Sequence, residues 1–348
     1  MSNITTDPQP LSALLAEPIA VGEPDVSSSL AVYPLFGPAA ALAYRAFADP
    51  DAGATITELE SGASVNDLLV HNAGAQPVLL YEGEEIVGAQ QNRVLDVSIL
   101  VAAQSRTRIP VSCVEQGRWD GRRHRERFVP SRQAADPRMR RMKNRQARAS
   151  AAMGLEARAD QGAVWNEVAS RAAEMDAPSP TAAMADIYES RRDELGDLTG
   201  AISLHEGQCG SVAVIAGRIQ MLDYVGRPDA YAALHDALVQ GYALDALAWQ
   251  RRREHSMDPT GFETGDADEA TVRGFALLVS EAQPSSVAPG PGLGETARFA
   301  FGGVEGSALI AEDELVQLTA FPTEGDEEPR SEERRPARRI NRPSRRRG

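Results

Sequence analysis

Apolar and polar residues alternate along the first third of the chain in a pattern typical of short β-strands. LAVYPLF (Leu30–Phe36) predicts the first strand, and the alternation resumes in ATITELE from Ala54 and in SVNDLLVHN from Ser64, across a Ser-Gly turn signal at 61–62. VLLYEG, NRVLDVSILV and RIPVSCVEQG extend the same pattern. Closely spaced strands with short turns predict an antiparallel meander.

The period changes to that of helices near Asp136. Segments 138–153, 160–175 and 181–195 are rich in Ala, Arg, Glu and Met, and start signals precede the second and third. They predict a helical insertion at 136–196. A shorter alanine-rich helix is predicted at about 39–48, after a Gly-Pro pair.

Strands return after the insertion. SVAVIAG and RIQMLDYV, joined by Gly217, precede an amphipathic helix at 228–249 that we expect to cover the core. VRGFALLVSEA (272–282), TARFAFGG, GSALIAED and LVQLTAF predict a last set of strands, with a hairpin loop at 289–294. The sequence therefore predicts an α+β protein with a mainly antiparallel β-sheet or sandwich core, a helical insertion and a covering helix.

Composition divides the chain into three parts. We expect a disordered leader at 1–28, a single α+β domain at 29–322 and a disordered arginine-rich tail at 323–348. Two cysteines and a start without an export signal favour the cytoplasm. No run approaches the roughly 20 apolar residues of a spanning helix, so we expect no membrane partner.

Positive charge is concentrated in one segment, although the net charge is −14. Residues 117–148 contain twelve Arg or Lys and three Asp or Glu, an excess of nine positive charges. Lys143 is the only lysine. Arginine suits bidentate capture of phosphate or carboxylate, but a genomic bias toward arginine codons gives the same composition.

Three residues within 79–119 have side chains suited to catalysis. Cys113 is a candidate nucleophile because Arg118 follows it closely, although buried structural cysteines are common. Glu85 is the favoured acid or base in a cluster with Glu82 and Glu84, since neighbouring carboxylates push their pKa values apart, and Glu115 is a second candidate for this chemistry. A solvated turn before a strand gives the same pattern of glutamates.

The same stretch carries groups suited to ligand recognition. Amides, guanidiniums and an aromatic ring recognise nucleotides and sugar phosphates by hydrogen bonding and stacking. A loop that is packed and capped by its own side chains is the competing interpretation. The candidate ligand-binding residues are Gln90, Asn92, Arg93, Arg118 and Trp119.

Several long motifs resemble one protein family. GEEIVGAQQNRVLDVSILV, IPVSCVEQGRW, DQGAVWNEV, SPTAAM and GQCGSVAVIAGRIQMLDYV are similar, in this order, to the ARPP family, the ARG and rhodanese-phosphatase-superfamily-associated proteins of bacteria. ARG denotes ADP-ribosylglycohydrolase. The resemblance covers about residues 29–250 and implies an ADP-ribose or NAD-derived setting, but it carries over no catalytic residues.

Two functional hypotheses follow. The first is a cytosolic protein that binds or processes an ADP-ribose-like or nucleotide ligand, with Arg93 and Arg118 on the phosphates, Trp119 stacking and Glu85 or Glu115 as acid or base. The second is a non-enzymatic module that binds nucleic acid or an acidic protein partner through its arginine-rich segments. The sequence predicts no cofactor and no metal site, and it leaves open whether the protein is an enzyme.

Overall fold

The structure is a computed structural model that describes residues 10–15, 17–256 and 264–323. The strands in these residues are β1 (Ala20–Val21), β2 (Asp25–Ser27), β3 (Leu30–Phe36), β4 (Arg45–Ala46), β5 (Ala54–Thr57), β6 (Asp67–Asn72), β7 (Val78–Leu80), β8 (Glu84–Gly88), β9 (Arg93–Leu95), β10 (Ile99–Val101), β11 (Ser105–Cys113), β12 (Phe128–Ala134), β13 (Gly210–Ile215), β14 (Arg218–Val225), β15 (Ser286–Pro289), β16 (Glu295–Phe301), β17 (Val304–Ala311) and β18 (Glu314–Pro322). The α-helices are α1 (Pro137–Ala152), α2 (Gln161–Glu174), α3 (Met184–Ser190), α4 (Arg192–Thr199), α5 (Pro228–His255) and α6 (Glu269–Ser280). Short 3-10 helices occupy Leu11–Leu14 and Gly121–Arg123.

The strands form three sheets. A nine-stranded antiparallel sheet has the order β1-β3-β13-β14-β18-β17-β16-β15, with β2 also beside β3. Six strands close on themselves in the order β11-β6-β5-β12-β8-β9, and we call this the closed sheet. A small sheet has the order β10-β7-β4, in which β4 and β7 run parallel. The predicted α+β class with a mainly antiparallel β-rich core is confirmed.

Helix α5 lies between the two large sheets. It contacts β12 of the closed sheet and β13 and β14 of the nine-stranded sheet. Its Leu234, Leu238 and Tyr242 are almost completely buried in the largest hydrophobic core, to which both sheets contribute. The predicted covering helix is thus confirmed. It extends to His255, and its last turn carries the basic residues Arg252, Arg253 and His255, which interact favourably with the negative end of the helix dipole.

The four helices α1 to α4 occupy the predicted insertion at 136–196. Two of them begin at carboxylate caps, since Asp136 accepts from Met139 N–H and Asp160 from Ala163 N–H. Within the described residues, no helix combines the length and the apolar character needed to cross a membrane.

The prediction of a strand at 272–282 was wrong, because residues 272–280 belong to α6. Val272, Phe275 and Val279 are buried at spacings of three and four, which is a helical period. Asp268 caps the helix by accepting from Thr271 N–H at 2.8 Å. The hairpin loop predicted after this segment is confirmed, because β15 pairs with β16 across it.

The helix predicted at about 39–48 was also wrong. The Glu314 carboxylate accepts hydrogen bonds from the backbone N–H groups of Ala41 and Leu42, at 3.1 and 2.8 Å. β4 then pairs with β7. These tertiary partners outweigh the helix propensity of the alanines.

Parts of both predicted disordered ends lie outside the described residues, namely 1–9, 16 and 324–348. The described part of the predicted leader contains the 3-10 helix Leu11–Leu14 and the strands β1 and β2.

Candidate functional site

The predicted stretch 79–119 forms one end of the closed sheet. Arg93 pairs with Ile86 across the β8–β9 ladder and with Cys113 across the β9–β11 ladder. Cross-strand partners share a face of a sheet. Because Ile86 belongs to the hydrophobic core inside the closed sheet, Arg93 and Cys113 also face that interior.

Arg93 lies near the carboxylate of Glu58 in this interior, but the two side chains make no direct hydrogen bond. Glu58, which follows β5, lies 4.0 Å from the guanidinium, and both side chains are fully buried. Burial raises the pKa of Glu58, and the charge of Arg93 and the nearby backbone N–H groups of Gln90 and Ser64 oppose that rise. Among the described residues, no group makes a hydrogen bond of ordinary geometry to either Glu58 oxygen or to Arg93 Nε. Buried polar atoms in this state need a further partner.

Two glutamines beside this pair also have unpartnered atoms. Gln90 Nε2 lies 3.1 Å from His124 Nδ1, and Gln91 Nε2 donates to the carbonyl of Glu115 at 3.0 Å. The side-chain carbonyl oxygens of both glutamines are buried without a partner in the described residues. We call Glu58, Gln90, Gln91 and Arg93 the end cluster.

Glu115 and Arg118 lock the loops around the end cluster. The Glu115 carboxylate accepts from Arg118 Nε and Nη2 at 2.7 and 2.6 Å, from Asn92 N–H at 3.1 Å and from Thr181 Oγ1 at 3.1 Å. Arg118 also donates to the Ala89 carbonyl at 2.7 Å and to Asn92 Oδ1 at 3.0 Å. These contacts occupy both oxygens of the Glu115 carboxylate and most of the donors of the Arg118 guanidinium.

Cys113 is held rigidly and is inaccessible to solvent. Its backbone N–H and carbonyl both bond to the side-chain amide of Gln161, at 2.8 and 2.9 Å. Its Sγ accepts from the Glu115 N–H at 3.4 Å, and the residue is 0% exposed. The thiol therefore lies in the packed interior.

Glu85 lies on the opposite face of β8 from Ile86, and hence from Arg93. Its Oε2 accepts from Ser131 Oγ at 2.8 Å and from Gln133 Nε2 at 2.5 Å, whereas its Oε1 has no partner in the described residues. Burial raises its pKa to about 7, and the nearby charge of Glu115 adds to the rise. Glu85 is thus a carboxyl group that titrates near neutral pH.

A loop with exposed aromatic and basic side chains covers the end cluster. Trp119, which follows Arg118, is 51% exposed. Arg125 and Arg127 are exposed, and neither side chain makes a hydrogen bond or ion pair within the described ranges. The contacts of Arg118 and His124 hold the loop 118–127 against residues 88–92.

The basic segment 117–148 is not a continuous charged surface. Its helical part, α1, directs most of its cations toward acidic partners. These pairs are Arg138–Glu167, Arg140–Asp223, Lys143–Asp96, Arg145–Glu305 and Arg148–Glu305. The exposed unpaired guanidiniums therefore belong to the segment before α1.

The structure brings Gln90, Asn92, Arg93, Cys113, Glu115 and Arg118 together, whereas it places Glu85 on another face and Trp119 at the surface. Sequence reasoning missed Glu58 and the contact of His124 with Gln90. The signal for Glu58 was its place in ATITELE, two residues after the buried Ile56, where an inward-facing position carries a charge.

Comparison with known proteins identifies one family. A family model described as the ARG and Rhodanese-Phosphatase-superfamily-associated Protein domain matches residues 18–321. The match confirms the resemblance of the motifs and extends it to the C-terminal strands. No curated protein and no solved structure matches the chain.

Proposed function

The chain belongs to the ARG and Rhodanese-Phosphatase-superfamily-associated Protein domain family, and from this premise we propose that it binds an ADP-ribose-like or nucleotide ligand at the end cluster. The observation that carries the proposal is the set of buried polar atoms on Glu58, Gln90, Gln91 and Arg93 for which the described residues offer no hydrogen bond of ordinary geometry. A folded protein rarely leaves several such atoms together without a partner.

The polarity of these atoms indicates the chemistry of the ligand. Four of the five are oxygen acceptors, two on Glu58 and one each on Gln90 and Gln91. They require hydrogen-bond donors, which ribose hydroxyls and an adenine amino group supply. Phosphates only accept hydrogen bonds, so they fit the guanidiniums of the covering loop instead.

The covering loop supplies the other two elements of nucleotide recognition. The exposed ring of Trp119 offers a stacking surface for a base. Arg125 and Arg127 are free to contact the phosphates. Arg118 is not assigned to the phosphates, because a phosphate there would replace contacts that the protein already makes. Its role, together with Glu115, is to hold the loop.

Ligand entry requires the covering loop to move. Gln90 and Gln91 are each only 4% exposed, and His124 contacts Gln90. Outward movement of residues 119–127, with Arg118 as the fixed end of the loop, breaks this contact and opens the end cluster. Glu85 faces the other side of the sheet, and we therefore propose binding, not turnover, as the function of the end cluster.

Calorimetric titration of the full chain with ADP-ribose, NAD and adenine nucleotides tests the proposal. We expect saturable heat with at least one of them. Trp119→Ala removes the stacking surface and should weaken binding by roughly 5- to 150-fold, the equivalent of about 1–3 kcal/mol per stacked base. The proposal fails if no ligand gives heat or a thermal shift.

Phe301→Ala is the matched control. Phe301 is an aromatic residue of β16 that is 41% exposed, and it lies on the nine-stranded sheet. Its truncation should leave the affinity unchanged. Equal losses in both variants would show that the effect of Trp119→Ala is not specific to the site.

A further inference from the structure

Glu58 and Arg93 hold unused acceptors and an unused donor at one buried position. Their side chains are fully buried and 4.0 Å apart. Within the described residues, neither oxygen of Glu58 nor the Nε of Arg93 makes a hydrogen bond of ordinary geometry. The other Arg93 nitrogens are occupied, since Nη1 and Nη2 donate to the carbonyls of Asn92 and Ser64 at 3.3 Å. The pair therefore offers two acceptors and one donor to a ligand.

The two glutamines of the end cluster show a different pattern. Gln90 and Gln91 each have a buried side-chain oxygen without a partner in the described residues, whereas the amide nitrogen of each already has one. These two positions thus offer acceptors alone. The end cluster is divided into a mixed pair, Glu58 and Arg93, and a pair of acceptors.

The two patterns suit different groups of one nucleotide. A hydroxyl group both donates and accepts hydrogen bonds. The 2′- and 3′-hydroxyls of a ribose lie on the same side of the sugar ring, so both can donate to one carboxylate while one of them accepts from a guanidinium. An adenine amino group acts only as a donor, and it therefore suits the glutamine oxygens.

We propose that Glu58 and Arg93 recognise the free 2′,3′-diol of an adenosine ribose. This inference rests on the proposed function, and it narrows the ligand class to adenosine nucleotides with an unmodified ribose. The amino group of the base then lies at Gln90 and Gln91, and the phosphates extend toward the covering loop.

A phosphate on the 2′-oxygen cannot replace the diol at this position. In dinucleotide-binding sites of other folds, a carboxylate on the ribose hydroxyls selects NAD, whereas an arginine accommodates the 2′-phosphate of NADP. Here the Nη atoms of Arg93 are already occupied, and the charge of Glu58 lies beside that of Arg93. A phosphate would bring further negative charge next to a buried carboxylate, which is costly.

Calorimetric titration of the unaltered full chain with matched ligands tests the inference. The pairs are NAD with NADP, ADP-ribose with ADP-ribose 2′-phosphate, and AMP with 2′-deoxy-AMP. We expect the ligand with the free diol to bind more tightly in each pair. The preference should be roughly 100-fold or more against a 2′-phosphate and roughly 10- to 100-fold against the 2′-deoxy form, which lacks one hydrogen bond to a charged group.

The outcomes separate this inference from the proposed function. Equal affinities within the pairs, or tighter binding of the phosphorylated members, would overturn the inference and leave the proposed function standing. An absence of heat with every ligand would refute the proposed function, and the inference with it.

Replacement of Glu58 by glutamine tests whether this residue sets the preference. Glutamine is similar in size, but it carries no charge and brings two N–H donors. Glu58→Gln should reduce the preference within the tightest-binding pair to less than roughly tenfold. A structural defect alone would weaken both ligands without changing the ratio of their affinities.

Glu60→Gln is the matched control. The Glu60 side chain is 74% exposed and pairs with Arg106 at 2.7 Å. Its replacement should leave the ratio of affinities as it is in the native chain. A native ratio in Glu58→Gln as well would contradict the assignment of the diol to Glu58.

Discussion

Replacement of Glu85 by glutamine tests the electrostatics of the closed sheet. Glutamine cannot ionise, and its carbonyl oxygen can accept the hydrogen bonds that Ser131 and Gln133 give to Glu85 Oε2. Its NH2 group then takes the place of the unpartnered Oε1. Glu85→Gln therefore resembles the protonated form of the native side chain.

The expected change in stability follows from the pKa of Glu85. Burial raises this pKa from 4.5 to about 7 in the folded protein. Between these values the folded state holds a proton that the unfolded state has lost. The contribution of Glu85 to the free energy of unfolding is therefore fully present below the unfolded pKa. It falls by roughly 3 kcal/mol as the pH rises to about 7, at about 1.4 kcal/mol per pH unit.

Urea unfolding of both proteins from about pH 5 to about pH 8 measures this effect. Glu85→Gln should be similar in stability to the native chain at the acidic end and more stable by roughly 3 kcal/mol at the basic end. The pKa of Glu84, raised to about 8, affects both proteins alike and cancels in the difference. A difference that does not grow with pH would refute a raised pKa for Glu85.

Two further substitutions test the buried ion pairs Lys143–Asp96 and Arg140–Asp223 by urea unfolding at neutral pH. Lys143→Arg should lower the free energy of unfolding by roughly 2–4 kcal/mol. Lys143 Nζ contacts Asp96 and two backbone carbonyls at 2.9 to 3.3 Å, and a planar guanidinium cannot reproduce this geometry. A neutral outcome would show that this site accepts any cation. Asp223→Asn should lower the free energy of unfolding by roughly 3–5 kcal/mol, because it leaves the buried Arg140 without the carboxylate that it hydrogen-bonds. A loss below about 1 kcal/mol would show that the network is not essential.

The sequence predicts elements well where the pattern of burial is local. Strand β3 has the predicted bounds of Leu30–Phe36, and β13 and β14 turn at Gly217 as expected. The pattern fails for α6, where a nearly continuous apolar run hides a helical period. It also fails near Ala41, where the carboxylate of Glu314 decides the backbone conformation from 273 residues away.

The site was predictable in its location but not in its geometry. The stretch 79–119 does gather polar side chains, because β8, β9 and β11 are neighbours in the closed sheet. Sheet closure is a long-range property, and it alone brings Glu58 to Arg93. The same closure puts Glu85 and Arg93 on opposite faces, a separation that depends on the register of β8 against β9.

The central claim is that the end cluster binds an ADP-ribose-like or nucleotide ligand. A crystal structure of the full chain grown with ADP-ribose is its most direct test. We expect ligand density with donor groups on Glu58, Gln90 or Gln91, an aromatic ring stacked on Trp119 and displaced residues 119–127. Ligand density elsewhere, or a loop that still holds Gln90 against His124 with no ligand bound, would contradict it.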